Sequence, residues 1–134
     1  MKILWICNVA LPEIARELNM EASNKEGWLS GMIHAVLKEQ ETNLPVEIAV
    51  PFPVASAYCD GDSERCHVTV QLEGQAVECY GFLEDVRCPE KYDIGLEKRL
   101  EAIMQAVKPD IVHCFGTEYP HTLAACKVFP EKER

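Results

Sequence analysis

The chain predicts an α/β fold, a sandwich built on a mainly parallel central sheet with one inserted β-hairpin. Three observations carry this. Lys2-Ile3-Leu4-Trp5-Ile6-Cys7-Asn8 and Asp110-Ile111-Val112-His113-Cys114-Phe115 are continuous apolar runs, the pattern of strands covered on both faces. Between them lie segments whose apolar residues recur at helical spacing. Finally, two alternating segments, 67–72 and 76–80, flank Glu73-Gly74-Gln75, which predicts a hairpin.

Taken in order, residues 2–8 form the first strand and 9–26 a long excursion containing Pro12, with a short helical piece over 13–18. The main first helix is expected from about Gly27 to Gln40, burying Leu29, Met32, Ile33, Val36 and Leu37. Ser23 and Glu26, three apart just before it, form a capping-box pattern. Val46–Val50 is the second strand, ended by Pro51-Phe52-Pro53, and a polar loop leads to the hairpin. Asp93 caps a helix running to Val107, with Leu96, Leu100, Ile103 and Val107 as its stripe, and Lys108-Pro109 stops it. The strand at 110–115 and a helix over about 121–129 complete the order β-α-β-(ββ)-α-β-α. A sheet of so few strands, followed by a helix with no strand to return to, leaves an unpaired edge. The expectation is therefore a truncated domain spanning 1–134, with an edge open to self-association.

Length and charge narrow the function. A chain of 134 residues, 48% hydrophobic and 26% charged, is one domain of ordinary globular composition. Its 22 acidic against 13 basic residues give a net charge of −9, and the Lys and Arg are scattered beside acids. Phosphate backbones and anionic lipid are repelled by such a surface, so no nucleic-acid partner is expected. The seven cysteines, at 7, 59, 66, 79, 88, 114 and 126, form no C-x-x-C pair. With no signal peptide and no long apolar run, the reading is a reduced protein of the cytoplasm without a transmembrane segment. A metal site from Cys59, Cys66 and His67 is disfavoured, because tetrahedral zinc wants close ligand pairs.

The absent motifs are informative. There is no G-x-x-x-x-G-K-[ST], and Asn8-Val9-Ala10-Leu11-Pro12 after the first strand lacks the glycines of a dinucleotide fingerprint and the acidic pair of a receiver domain. Gly27-Trp28-Leu29-Ser30-Gly31 remains. Glycine at a helix start lets backbone approach an anionic ligand; equally, Gly31 could pack the helix tightly on the sheet and Gly27 end the loop. Trp28 fits a ligand wall or the core. The second candidate is Gly116-Thr117-Glu118-Tyr119-Pro120-His121, at the carboxyl end of a buried strand, where open α/β sheets bind ligands. There Glu118 and His121 offer acid, base or hydrogen-bonding groups and Thr117 a hydroxyl; the bland reading is a helix cap beside a solvated histidine. His113 is expected to be a satisfied core histidine, and His34 a surface or packing residue. No Ser/His/Asp or Cys/His triad is anchored, and the catalytic residues are unknown.

Lys2–Cys7, Lys25-Glu-Gly-Trp-Leu-Ser-Gly-Met32, Gln75-Ala-Val-Glu-Cys-Tyr-Gly-Phe82 and Lys108-Pro-Asp-Ile-Val-His-Cys-Phe-Gly116 together resemble the amino-terminal domain of family-4 glycosyltransferases of the GT-B type. The resemblance spans the whole chain, and order and spacing carry it more than any one motif. It implies a Rossmann-like three-layer sandwich that is the acceptor-side half of a two-domain hexosyltransferase, with the donor-binding carboxyl-terminal domain missing. It further implies a nucleotide-sugar donor, a glycan or lipid-linked acceptor, no cofactor and no metal. The setting would be bacterial polysaccharide or cell-envelope synthesis at the inner face of the membrane, and the fragment would be inactive alone. Gly27, Trp28 and Gly31 would lie at the cleft near the donor diphosphate, and Gly116, Thr117, Glu118 and His121 on the acceptor side. Glu26-Gly27 replaces the family's paired glycines. The alternative is a stand-alone flavodoxin-like or Rossmann-like module for a nucleotide or a protein partner.

Overall fold

The computed structural model describes residues 1–23, 27–39 and 45–129. Their elements are β1 (Lys2–Ile6), α1 (Pro12–Glu17), α2 (Gly27–Lys38), β2 (Glu47–Val54), β3 (Arg65–Leu72), β4 (Gln75–Leu83), α3 (Gly95–Val107), β5 (Ile111–Cys114) and α4 (Pro120–Val128), with two single-turn 3₁₀ helices between β2 and β3. The five strands form one sheet in the order β3-β4-β2-β1-β5. Only β3 runs antiparallel to its neighbour; β4, β2, β1 and β5 are mutually parallel. The mixed, mostly parallel sheet bears out the α/β expectation.

Alternation along the strands divides the core in two. Trp5, Cys7, Ile48, Val50, Phe52 and Cys79 face α1 and α2, packing on Leu11, Ile14, Leu29, Ile33 and Leu37. Leu4, Ile6, Ala49 and Phe82 face α3 and α4, against Leu96, Leu100, Ile103, Met104 and Ala124. Helices on both faces explain why β2 is buried without a break from Ile48 to Val54. Each large aliphatic side chain so buried stabilises the fold by roughly 1.5–3 kcal/mol.

Several local expectations are corrected. The prolines at 51 and 53 do not end β2; the strand continues through both. The β2 residues that face β1 are the odd ones, as Glu47 N→Met1 O and Cys7 N→Pro51 O show. The missing proline N–H groups therefore point to the β1 flank where that strand is ending, while Phe52 and Val54 keep their bonds toward β4. The hairpin turn is just Glu73-Gly74, both at positive φ (50° and 74°), the mirror-image turn that suits the strand twist. α3 itself starts at Gly95, and the capping contact expected of Asp93 is present, its Oδ1 accepting from Gly95 N at 2.9 Å. Glu26 of the capping box, Gln40 at the expected end of the first helix, and the tail from 130 lie outside the described residues.

His113 is not a core histidine. It lies exposed on β5, an edge strand among the described residues, beside Ile111 at 44% exposure. Odd residues of β5 face the α1–α2 side, where Phe115 reaches cover but Ile111 and His113 do not. No helix among the described residues is long and apolar enough to cross a membrane.

Candidate functional site

The connection leaving β1 passes over one face of the sheet through α1 and α2 to β2; the one leaving β5 enters α4 on the opposite face. Neighbouring parallel strands whose connections diverge leave a crevice beyond their carboxyl ends, which is where such sheets bind ligands. Asn8, just past β1, and the turn Gly116–Tyr119, just past β5, form its floor.

That turn is built tightly. Tyr119 N donates to Gly116 O (3.0 Å), and Thr122 Oγ1 donates to the same carbonyl (3.0 Å). Gly116 sits at φ +80°, and a Cβ there would lie 2.6 Å from the Tyr119 ring and 3.0 Å from the Asn8 Cβ. Only glycine fits, on both counts. Asn8 is 9% exposed, and among the described residues its Oδ1 is buried without a hydrogen-bond partner, as is Nε1 of Trp5 three residues earlier. Buried polar atoms normally find partners; Trp5 nevertheless sits in the apolar core of the α1–α2 face, and Asn8 lies beside the Gly116 turn.

The first turn of α2 closes the crevice from the other side. Trp28 is 52% exposed, and its ring meets Phe115 edge-on at 5.7 Å; Phe115 in turn lies 5.1 Å from Trp5 and stacks on His113 at 4.3 Å. Trp28 is thus a partly bared wall and not core. Gly27 and Gly31 are both exposed, and among the described residues a Cβ built on either meets nothing within 4 Å. The reading of Gly31 as a tight packing contact is therefore corrected: the space beside it is open. The first turn also carries no acidic side chain, which leaves its N–H groups and positive dipole end uncompensated from within the turn.

Thr117 and Glu118 lie exposed in the β5–α4 turn. His121 does not join them. It is fully buried, where a solvated histidine was the bland expectation, and its ring works on the protein itself. Nε2 donates to Phe115 O at 3.1 Å, Nδ1 meets Glu84 Oε2 at 2.7 Å, and His121 N donates to Glu84 Oε1 at 3.0 Å. Glu84, its side chain only 4% exposed, thus caps α4 from the end of β4 and fixes the imidazole beneath the turn. His121 is a positioning residue for Phe115 and Gly116.

Glu84 also borders an open groove farther along the same edge, past β2 and β4, with Met20, Val54, Tyr58 and Arg87. Arg99, 7% exposed, secures this side: its guanidinium donates to Glu64, to Leu83 O (3.0 Å) and to Asp93 (2.7 Å). The Arg99 hydrogen bond, helped by one from Gly95 N, holds the Asp93 carboxyl below the usual carboxylate range. The disfavoured metal trio is divided: Cys59 and Cys66 pack on the same α1–α2 side, whereas His67, the next residue on the strand, turns to the other face and stacks on Tyr80. Among the described residues no group of three His, Cys, Asp or Glu is arranged to hold a metal ion.

Both segments singled out in the sequence meet here, through Trp28 and Phe115, whereas Asn8 and Glu84 were not singled out. Glu84 was reachable only by extending the alternation of 76–80 as far as Leu83. Comparison of the chain with protein-family models, curated proteins and solved structures finds no match in any of the three.

Proposed function

We propose that this chain is the acceptor-side half of a nucleotide-sugar-dependent glycosyltransferase, a Rossmann-like domain whose ligand crevice lies beyond the carboxyl ends of β1 and β5. The observation that carries the reading is the meeting of Trp28 and Phe115. It joins two segments some ninety residues apart in sequence, each selected as a site candidate on independent grounds. An aromatic wall, an unmet amide oxygen and exposed turn hydroxyl and carboxylate groups suit a polyhydroxylated ligand, which offers both C–H faces and O–H donors. The open glycine turn of α2 suits an anionic group on the same ligand pair. The nucleotide-sugar would come mainly to a facing domain, so the chain by itself binds weakly and transfers nothing.

The test is calorimetric titration of the 134-residue chain with nucleotide-sugars, oligosaccharides, flavin and dinucleotides in parallel. Weak saccharide binding that is lost in Trp28→Ala, with no tight nucleotide or flavin binding, supports the proposal. Tight binding of a flavin or dinucleotide would instead establish a stand-alone binding module, the second reading, which the open α2 turn also accommodates.

A further inference from the structure

Away from the crevice, His34 on the third turn of α2 stands between two carboxylates from two other elements. Its Nε2 lies 2.8 Å from Glu13 Oε1 of α1, and its Nδ1 lies 2.8 Å from Glu73 Oε1 in the β3–β4 turn. Carboxylate oxygens only accept, so both contacts are hydrogen bonds only when both ring nitrogens carry hydrogen. A neutral imidazole has one N–H; its other nitrogen then sets a lone pair against a carboxylate.

We propose that His34 is a proton-operated clamp: protonated, it ties α1 and the β3–β4 turn to α2, and neutral, it must release one of them. The remaining groups facing this cluster do not replace the lost charge. Ser30 Oγ donates to the same Glu13 oxygen at 3.3 Å, while Lys38 reaches Glu73 only at 3.9 Å. Among the described residues Glu13 Oε2 is buried with no hydrogen-bond partner, and beneath it the Cys79 thiol of β4 stays neutral, pushed by burial up to about 12. Deprotonating His34 therefore leaves two carboxylates converging on one uncharged ring. What loosens is the seat of the helix whose first turn carries Gly27 and Trp28.

The titration directions agree with the geometry. Hydrogen bonds from Glu13 and Glu73 raise His34 above its ordinary 6.5. Burial pushes Glu13 up, but the His34 bond, its own backbone and Ser30 together hold it below 4.5. A raised histidine contributes stability in full below its unfolded value, and loses it as pH climbs through the folded one; a depressed carboxyl contributes above its unfolded value. The clamp is thus complete between about pH 4.5 and 6.5 and opens as the pH rises from there.

The test is an NMR titration of the His34 ring in the whole chain, joined to amide hydrogen exchange at about pH 5.5 and about pH 8.5, corrected for intrinsic rates. The expected result is a His34 midpoint above 6.5, with α1 and the Glu73-Gly74 turn losing protection at the higher pH while α3 and α4 keep theirs. In Glu73→Gln the midpoint falls, and in His34→Gln the pH dependence of α1 protection is lost. A midpoint at or below 6.5 in the native chain overturns the proposal whatever the variants do, and so does unchanged pH dependence in a folded His34→Gln.

Discussion

Replacing Gly31 with alanine adds one methyl to the outer side of α2, and the structure says what that does. Glycine inside a helix costs about 0.5–1 kcal/mol relative to alanine, because its unfolded chain loses more freedom on folding. Nothing lies within 4 Å of the added Cβ, and no unusual backbone angle is recorded there, so no steric penalty offsets the gain. A chain of 134 residues unfolds with an entropy near 0.28 kcal/mol/K at the midpoint, so Gly31→Ala should raise Tm by about 2–4 °C. The stabilisation should come with weakened ligand binding, since the methyl occupies the space a ligand approaches; stability gained at the expense of function is the usual mark of a site residue. Differential scanning calorimetry with a saccharide titration of the same variant tests both halves. A lowered Tm would mean that Gly31 packs against protein after all. A raised Tm with unchanged binding would remove Gly31 from the site.

Other substitutions probe the crevice floor. Gly116→Ala forces a side chain onto φ +80° and into the Tyr119 ring, and should cost about 1–3 kcal/mol in urea unfolding; a loss below about 0.5 kcal/mol would contradict the tight turn. His121→Ala strips the buried Glu84 carboxylate of its imidazole partner and leaves it the backbone N–H of residue 121; it should cost about 3–5 kcal/mol, with the Glu84→Gln, His121→Ala double variant recovering part of it, and strict additivity would show that the two side chains do not interact. Asp93, held below the ordinary 3.8 by Arg99, contributes stability above that value that is lost as pH falls through its folded one. The wild-type Tm should accordingly fall more steeply on acidification from about pH 5 to pH 3 than that of Asp93→Asn, and equal slopes would count against the Arg99 bond.

How much of this was legible beforehand follows from which forces act locally. The strands at Lys2–Ile6 and Ile111–Cys114 could be read directly from their continuous apolar runs, although β5 proves to be a half-covered edge strand, and the α3 stripe from its helical spacing. β2 was cut short because proline normally ends a strand, and only the neighbour's end point shows that its missing N–H groups cost nothing here. His113 was misjudged because sequence reveals that a strand is apolar, not that it lies at an edge. In the crevice, Gly27, Gly31 and Gly116 were found through backbone chemistry. The His121–Glu84 bond joins residues 37 apart, a pairing no local pattern announces, and the same is true of Glu13, His34 and Glu73.

One ligand crevice between the first turn of α2 and the β5–α4 turn can be mapped by following amide chemical shifts of the ¹⁵N-labelled chain during titration with an oligosaccharide and with a nucleotide-sugar. Shifts should cluster at Asn8, Gly27–Gly31 and Gly116–Tyr119 and leave the β3–β4 hairpin still. Shifts centred on the amino-terminal edge near Lys2, Glu47 and Glu78, where a separate hollow lies, would contradict that crevice.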